Sequence, residues 1–551
     1  MAGKDSLRQV FKGAMAIRDK ISFSDYKMLL IDALFVRRYA SKEEWKSIFT
    51  SDASESVFKR LLDRYTKCLL PPFAQKANSV TVSDETIVKL LSSIEGIELN
   101  DRDSFASVYE YCLRMFSEQE GAKGGQFYTP DEVSEMLPYL LNIPEGAEIY
   151  DPAVGSGSLL VNIHSVLRDD KAKYYGQDIN PEACKMAAIN ALIGEFKLDL
   201  GRSPADTLQD DVHEGKRYDI VVSNPPFNLH SWTRNDEDPR WVYGLPPVGN
   251  ANYAWIEHIL AKMKPDGRAA VILTNNSLTS NQAEEKQIRK ALIENGLVKS
   301  IILLRKELFV NTDIATCIWL LGKNDSGCIC MVDARSESNM LSVIRGSRGV
   351  ERRGFSRAVP LQEIRNKDYS LFPARYIDYT DENFSAELIP LRELIKVKYG
   401  NDRTDDVCDD GMYPRYGSGG VIGRTNNKNS DGPSVIIGRK GSIGAVHYVS
   451  TPFSANSATY FVTEYDDSRV TLKYLYYVLS GIDFTRYDDG SGKPNLQIET
   501  LYDITIPLLT IEEQNSFVRR MDDISQKIRH AETIALSLKR QLNSACKTPR
   551  P

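Results

Sequence analysis

The sequence predicts a multi-domain protein with an N-terminal α-helical domain, a central α/β domain of the doubly wound, Rossmann-like kind, and a C-terminal α+β domain that ends in a long coiled-coil-like helix. Three observations predict this fold class: helical periodicity at the start, short apolar runs alternating with helical segments in the middle, and glycine turns between short strands near the end. A chain of 551 residues is too long for one hydrophobic core. We predict domains at 1–120, 121–384 and 385–510, and a closing spacer or dimerisation helix at 511–551.

The composition is that of an ordinary soluble globular protein, with 42% hydrophobic and 26% charged residues and a net charge of -6. No apolar run is long enough to span a bilayer and the N-terminus lacks a signal-peptide core, so we expect a cytoplasmic protein without a membrane partner. The eight cysteines are scattered without a Cys-x-x-Cys pair, which favours reduced thiols and no metal site.

The N-terminal part, from about Ser6 to about Glu120, is predicted to be helical. In "FKGAMAIRDKISFSDYKMLLIDALFVRRYAS", apolar residues recur at helical spacing between charged ones, and strand-like alternation is absent.

The central part changes pattern from Ala147 to about Leu321. The runs AEIYD, YYGQD, YDIVVSN, RAAVILTN, VKSIILL and TCIWLLG alternate with helical segments, as repeated βα units of a parallel sheet do. The basic stretch "IRGSRGVERRGFSRA", 344–358, has little periodicity and is predicted to be a loop or arm.

The C-terminal part, from about Glu387, has glycine-rich turns among short strands, which indicates a separate β-rich domain. The chain then closes in a helix whose apolar residues follow the four-three spacing of a coiled-coil seam. They are Phe517, Met521, Ile524, Ile528, Ala531, Ala535, Leu538 and Leu542. A regular seam favours a partner helix over packing on its own domain.

A cofactor pocket is predicted where "IYDPAVGSGSLL" joins a strand to a helix through a glycine turn. Gly155 and Gly157 let the backbone approach a ligand, and the helix start supplies unpaired N–H groups. About twenty residues later, Asp178 ends the next strand, where a doubly wound fold places the acid that holds ribose hydroxyls. Asp151 precedes the glycines, and its charge suits a ligand with an ammonium group, which favours S-adenosylmethionine over NAD or ATP. Asp206 in "ADTL" either contacts the adenine of that cofactor or is a turn aspartate.

The stretch "YDIVVSNPPFNL" predicts the catalytic site. Its apolar half is typical of a buried strand, and two consecutive prolines stop the strand with Asn224 at its end. The Asn224 side-chain oxygen and the Pro225 carbonyl, held by Pro226, can accept the two N–H bonds of an exocyclic amine and free its lone pair for attack. Phe227 offers a face on which an extruded base can stack.

These motifs, in this order, resemble those of amino-methyltransferases of the N6-adenine DNA class. "GGQFYTP" comes first, then "DPAVGSGSLL", which includes Pro152, and then "NPPF". More narrowly, the chain is similar to the modification subunit of a type I restriction–modification system, with the gamma motif order. The resemblance implies S-adenosylmethionine as cofactor, with Phe127, Thr129 and Pro130 flanking its methionine end. It also implies that Phe309 is either a second ring against the flipped base or a core phenylalanine.

The remainder resembles one half of a type I specificity subunit, with "RYGSGGVIGRTNN" and "VIIGRKGSIGAVHYV" in its target-recognition domain. The candidates for contact with double-stranded DNA are Arg439, Lys440, Ser442 and Lys493 in glycine turns. The usual subunits are separate chains, whereas this chain fuses one specificity half behind the methyltransferase.

The fusion predicts a homodimer joined through the C-terminal helix that methylates two inverted half-sites, as isologous pairing requires. Cleavage would need a separate restriction subunit, and an additional specificity subunit is a further possible partner. Two alternative functions stay open: methylation of cytosine N4, which also activates an exocyclic amine, and a catalytically idle DNA-binding or assembly component.

Overall fold

The computed structural model describes residues 21–75, 82–97, 99, 101–120, 129–309, 314–379, 386–401, 410–488 and 494–547. The chain divides into two compact units, Met1–Pro373 and Ala374–Pro551. In the part of the chain that the structure describes, no helix combines the length and apolar character that crossing a membrane requires.

The described residues up to Glu120 contain six helices. They are α1 (Phe23–Tyr39), α2 (Lys42–Phe49), α3 (Ser54–Leu69), α4 (Pro72–Gln75), α5 (Asp84–Ile94) and α6 (Arg102–Glu120). Serine side chains cap several of their starts, and Ser41 forms a full capping box with Glu44. Within the described residues, this stretch forms helices and no strand.

These helices pack on the α/β core through α9 (Pro181–Gly194), which is buried on nearly every side. Lys185 of α9 and Asp32 of α1 form an ion pair whose side chains are 4% and 6% exposed. The Tyr109 hydroxyl donates to the Met186 carbonyl at 3.1 Å. A buried ion pair depends on both partners, because either charge left alone in this interior is strongly destabilising.

A nine-stranded sheet forms the centre of the first unit, in the order β3-β2-β1-β4-β5-β7-β6-β8-β9. The strands are β1 (Glu148–Asp151), β2 (Lys173–Gly176), β3 (Leu198–Asp199), β4 (Tyr218–Ser223), β5 (Met263–Thr274), β6 (Val298–Leu303), β7 (Thr316–Gly322), β8 (Cys328–Asp333) and β9 (Ser356–Pro360). Every residue of β7 is buried, as expected of a central strand covered on both faces.

Helices alternate with the strands of this sheet along the chain, as in α/β folds whose sheets are covered on both faces. Besides α9 they are α7 (Asp131–Leu141), α8 (Ser158–Leu167), α10 (Asn252–Ala261), α11 (Asn276–Thr279), α12 (Ala283–Glu294), α13 (Met340–Ser347) and α14 (Leu361–Asn366).

Two details of the sequence prediction are wrong. The sheet is parallel from β3 to β5, but β7 runs antiparallel to both β5 and β6. Residues 304–315 join β6 to β7, and the two strands pair directly as antiparallel neighbours. The basic stretch 344–358 is not a continuous loop, because it begins inside α13 and ends inside β9.

The second unit combines small sheets with short helices. Its strands are β10 (Leu388–Pro390), β11 (Ile395–Tyr399), β12 (Tyr413–Gly417), β13 (Gly420–Thr425), β14 (Ser434–Gly438), β15 (Val446–Val449), β16 (Ser454–Ala455), β17 (Thr459–Tyr465) and β18 (Thr505–Pro507). They form sheets β11-β17-β14-β15, β13-β12-β16 and β10-β18. Its helices are α15 (Leu472–Ser480), α16 (Ile498–Asp503) and the closing α17 (Ile511–Lys547).

The first part of α17 packs on α15. Tyr474 and Phe517 meet edge to face with ring centroids 5.6 Å apart, and Lys473 pairs with Asp522 at 2.8 Å. Further along, apolar side chains of α17 are exposed, including Ile528 at 53% and Leu538 at 58%.

Candidate active site at the carboxyl edge of the sheet

The candidate site lies where the strand order of the sheet reverses, at β1. Strands β2 and β3 follow on one side of β1, and the next strand, β4, lies on the other side of β1. Both β2 and β4 run parallel to β1, so the carboxyl ends of the three strands share one edge. Open α/β sheets bind ligands at such a switch point.

Asp151 ends β1 at this edge and is 2% exposed. Its Oδ1 accepts from the backbone N–H of Ala153 at 3.0 Å and from the Ser223 hydroxyl at 3.1 Å. Burial raises the pKa of Asp151 to about 7, because removal of water disfavours the charged form more than these two hydrogen bonds favour it. The carboxyl therefore changes charge near neutral pH.

The glycine turn follows directly. Gly155 and Gly157 have φ of +54° and +78°, a region that L side chains rarely adopt. A Cβ on Gly155 would meet no atom within 4 Å, so there is open space beside this backbone. A Cβ on Gly157 would lie 3.1 Å from the Cα of Ala187, so Gly157 also allows α8 to approach α9.

Asp178 and Asp206 lie on neighbouring loops, since the Ala205 N–H donates to the Asp178 carbonyl at 3.0 Å. The Asp178 carboxylate accepts from the N–H of Gly155 at 2.9 Å and of Asn180 at 2.8 Å, and burial raises its pKa. The Asp206 carboxylate accepts from its own turn, from the Leu208 N–H at 3.0 Å. Asp206 thus has the geometry of a turn aspartate, beside the edge that carries Asp178.

Within the ranges that the structure describes, no group of three or more His, Cys, Asp or Glu side chains is arranged to hold a metal ion.

Asn224 stands immediately after β4, which ends at Ser223 as the proline pair predicts. Its Nδ2 donates to the Thr129 hydroxyl at 3.1 Å, and the Thr129 side chain is buried. Pro130 is the N-cap residue of α7, so the segment before that helix lies against the end of β4. Pro225 is buried, and Pro226 is partly exposed. Phe127 falls outside the described residues.

Phe227 and Phe309 come together, although 82 positions separate them in the sequence. Their ring centroids are 6.0 Å apart and the rings meet edge to face at 71°. Phe227 is partly exposed, whereas Phe309 is 2% exposed and belongs to the core. Phe309 therefore supports the edge of the Phe227 ring.

Two contributors to the site were not predicted from the sequence. Ser223 links the end of β4 to Asp151, and Asn252 holds the residue after Phe227. Asn228, with φ of +51°, donates its N–H to Asn252 Oδ1 at 3.0 Å and accepts from Asn252 Nδ2 at 2.9 Å. Asparagine tolerates positive φ better than most residues, so a second asparagine directly after "NPPF" was the available signal.

The DNA-contact candidates of the second unit differ in exposure. The Arg439 guanidinium lies 4.9 Å from the centre of the Tyr399 ring, and it donates to the Ser457 carbonyl at 2.9 Å. Arg439 thus stabilises its own domain in this structure. Lys440 and Ser442 are exposed. Lys493 lies outside the described residues.

Comparison with known proteins identifies two matching family models. The model described as "N-6 DNA Methylase" matches residues 100–384, and the one described as "Type I restriction modification DNA specificity domain" matches residues 386–540.

Among curated proteins, the chain is similar to the type I restriction enzyme HindI methylase subunit of Haemophilus influenzae. The two are 32% identical over 354 residues, which cover 58% of this chain and 80% of that protein.

Solved structures resemble the fold at lower identity. A type I restriction–modification methyltransferase subunit from Streptococcus thermophilus matches with a TM-score of 0.58 and 20% identity, covering 69% of this chain and 100% of that one. The type IIL restriction–modification enzyme MmeI, solved with DNA, matches with a TM-score of 0.51 and 13% identity, covering 92% and 87%.

Proposed function

This chain belongs to the N-6 DNA methylase family and joins to it a type I restriction modification DNA specificity domain, and on that premise we propose how its parts divide the reaction. The carboxyl edge of the sheet binds S-adenosylmethionine and methylates N6 of an adenine that has been flipped out of duplex DNA. The specificity domain selects the DNA sequence. We propose that the chain's domains span residues 1–120, 121–384 and 385–510, followed by a spacer or dimerisation helix at 511–551.

One observation supports the proposal most directly. The Ser223 hydroxyl donates to the Asp151 carboxylate at 3.1 Å, and Asn224 is the next residue. The acid proposed for the cofactor and the amide proposed for the base are therefore held side by side on adjacent strands. Methyl transfer requires that donor and acceptor be positioned in contact, and this is the geometry that two neighbouring strand ends supply.

The residues of this edge suit an adenosyl cofactor with an amino-acid end. The backbone at Gly155 is open, and the acid Asp178 beside it suits ribose hydroxyls. Asp151 supplies a second acid, whose ionised form favours a cationic ligand. Thr129 and Pro130 would flank its methionine end. When bound, S-adenosylmethionine supplies a methyl group on a positively charged sulfur.

The base-side chemistry follows from Asn224 and its prolines. Because Nδ2 of Asn224 donates to Thr129, the oxygen of the amide faces the other way, as an acceptor for one N–H of the amine. The Pro225 carbonyl, with its direction held by Pro226, accepts the second N–H. Two acceptors favour a pyramidal nitrogen with its lone pair free for attack. The Phe227 ring, supported by Phe309, stacks on the base, typically worth about 1–3 kcal/mol.

The test is a methyl-transfer assay with labelled S-adenosylmethionine and duplex DNA, followed by digestion to nucleosides. We expect label in N6-methyladenine. Label in N4-methylcytosine would replace the proposed target with the alternative one. Absence of both transfer and cofactor binding would indicate the idle DNA-binding component instead.

We also propose that α17 joins two copies of the chain. Ile528 and Leu538, both more than half exposed, lie on the predicted seam, and Ile524 on the same seam is 41% exposed. The helix of a second copy would cover this stripe and relate two recognition domains by a two-fold axis, so that the target has two inverted half-sites.

Light scattering of the wild type and of a double variant, Ile528→Glu with Leu538→Glu, tests whether the chain forms this dimer. We expect a dimeric wild type and a monomeric variant. A monomeric wild type that dimerises only with an additional specificity subunit would assign the stripe to that partner. A separate restriction subunit remains the proposed source of any cleavage.

A further inference from the structure

The segment between Phe227 and α10, residues 228–251, forms a loop whose two ends are fastened together. Asn228 and Asn252 exchange two hydrogen bonds, and the Ala251 N–H donates to the Leu229 carbonyl at 3.1 Å. Because one end of the loop is the residue after Phe227, anything that holds the loop also positions the proposed base-stacking ring.

Arg240, near the middle of this loop, hydrogen-bonds to three residues outside it. Its Nη1 donates to the Thr207 carbonyl at 2.9 Å, and its Nη2 donates to the Leu208 carbonyl. Asp238 fixes the guanidinium from behind, with Nη2 to Oδ2 at 2.6 Å. The side chains of Arg240 and Asp238 are 14% and 10% exposed, so little water competes for these bonds.

A fourth partner completes the set. Arg240 Nη1 lies 2.8 Å from Nδ1 of the buried His258 on α10. Burial, and then the charge of Arg240, lowers the pKa of His258 well below its ordinary value, so the imidazole is neutral at pH 7 and accepts this hydrogen bond. The planar guanidinium with its several donors can serve all these acceptors at once, and an ammonium cannot.

The two carbonyls that Arg240 holds belong to the loop that carries Asp206. The Thr207 hydroxyl donates to the Pro152 carbonyl at 2.6 Å, directly after Asp151. Leu208 and Trp232 share a small apolar cluster, against which Ala153 packs. Arg240 therefore joins the loop after Phe227 to the Asp206 loop, and Thr207 joins the Asp206 loop to the residue after Asp151.

We infer that Arg240 is a positioning residue that couples the cofactor side of the site to the base side. It does so by holding the Thr207 and Leu208 carbonyls against the loop that starts after Phe227. This inference rests on the proposed function. If the coupling acts through Arg240, cofactor binding and DNA binding strengthen each other, and the factor is the same in both directions.

Arg240→Lys is the test variant and Arg234→Lys is its matched control. Arg234 lies in the same loop with a side chain 16% exposed, but it pairs with Asp236 and donates to the Pro246 carbonyl, all inside the loop. For each protein we would measure S-adenosylmethionine affinity by calorimetry, kcat and KM for the cofactor, and DNA affinity with and without S-adenosylhomocysteine.

We expect Arg240→Lys to weaken S-adenosylmethionine binding and raise its KM about tenfold, the size of a lost hydrogen bond to a charged group, while kcat falls by a smaller factor. S-adenosylhomocysteine should no longer strengthen its DNA binding, whereas Arg234→Lys should keep the wild-type ratio. The ratio of the DNA affinities with and without S-adenosylhomocysteine separates coupling from loss of folded protein. Unfolded protein would lower both of these apparent affinities equally and leave their ratio unchanged.

Equal cofactor affinity and equal coupling ratios in the two variants would overturn the inference. So would a loss of cofactor-free DNA binding by the same factor as cofactor binding. Failure of the proposed function is distinguishable, because the wild-type protein itself would then fail to bind S-adenosylmethionine.

Discussion

The buried Asp151 makes a quantitative prediction about pH. Its pKa rises from 3.8 to about 7, so the unfolded chain ionises at a lower pH than the folded protein does. With respect to this group, stability is complete below pH 3.8 and is lost as the pH rises to about 7. Each pH unit in that window costs about 1.4 kcal/mol, so the full loss is about 4 kcal/mol.

Asp151→Asn removes this loss without removing the contacts. Both hydrogen bonds from Ala153 and Ser223 end on Oδ1, which an asparagine retains as an acceptor. Relative to wild type, we expect the free energy of unfolding of Asp151→Asn to gain about 3 kcal/mol more at pH 8 than at pH 5. Denaturant unfolding at both pH values measures it, with the exposed Asp170→Asn as control.

Ionisation of Asp151 lowers stability, but it should raise the affinity for the cofactor. If S-adenosylmethionine requires the ionised Asp151, a pKa of about 7 predicts that wild-type affinity rises about tenfold from pH 6 to pH 8. Affinity of Asp151→Asn should be low and should not follow this profile. A stability gain of Asp151→Asn that is the same at pH 5 and pH 8 would show that Asp151 does not titrate in this range and would overturn the prediction.

Three further variants test the architecture. Lys185→Met should lower the free energy of unfolding by about 3–5 kcal/mol by leaving Asp32 buried and unpaired, and adding Asp32→Leu should recover much of it in the same denaturant assay. Gly157→Ala should destabilise the protein by about 1–3 kcal/mol more than Gly155→Ala, because both glycines have positive φ but only Gly157 is crowded. Thermal unfolding measures the difference, and equal shifts in Tm for the two variants would contradict the crowding. Phe227→Ala should weaken flipping of a 2-aminopurine placed at the target, seen as lower fluorescence, while unfolding changes little; unchanged fluorescence would argue against stacking.

The parts of the site that the sequence predicts are those fixed by local chain geometry. Pro225 and Pro226 can only end β4, and a strand, glycine turn and helix place Asp151 and Asp178 on one edge. In each case, neighbouring residues of one motif determine where the side chain lies, so the sequence alone predicts its place.

The parts that the sequence does not predict depend on partners far along the chain. Ser223 contacts Asp151 across 72 positions, and Arg240 reaches Thr207 across 33. Neither contact has a periodic signal. The rings of Tyr399 and Tyr460 lie beside the guanidinium of Arg439, a pairing visible only after folding, and DNA contact by Arg439 stays a prediction.

The predictions for the direction of β7 and for the structure of residues 344–358 were wrong for a similar reason. Apolar content predicts that β7 is buried but not its direction, which appears only in its pairing with β5 and β6. In the basic stretch 344–358, arginines obscure the apolar face of α13, where Val343 and Ile344 are buried.

Methylation of adenine N6 through Asn224 is tested most directly by base-resolved mapping of modified DNA from a methylation-free host that expresses either the wild-type chain or Asn224→Ala. We predict N6-methyladenine at a defined motif with the wild type, and its complete absence with Asn224→Ala at equal amounts of folded protein. Modification that persists in Asn224→Ala would contradict the role proposed for Asn224, and a wild type that modifies cytosine N4 instead would contradict adenine as the target.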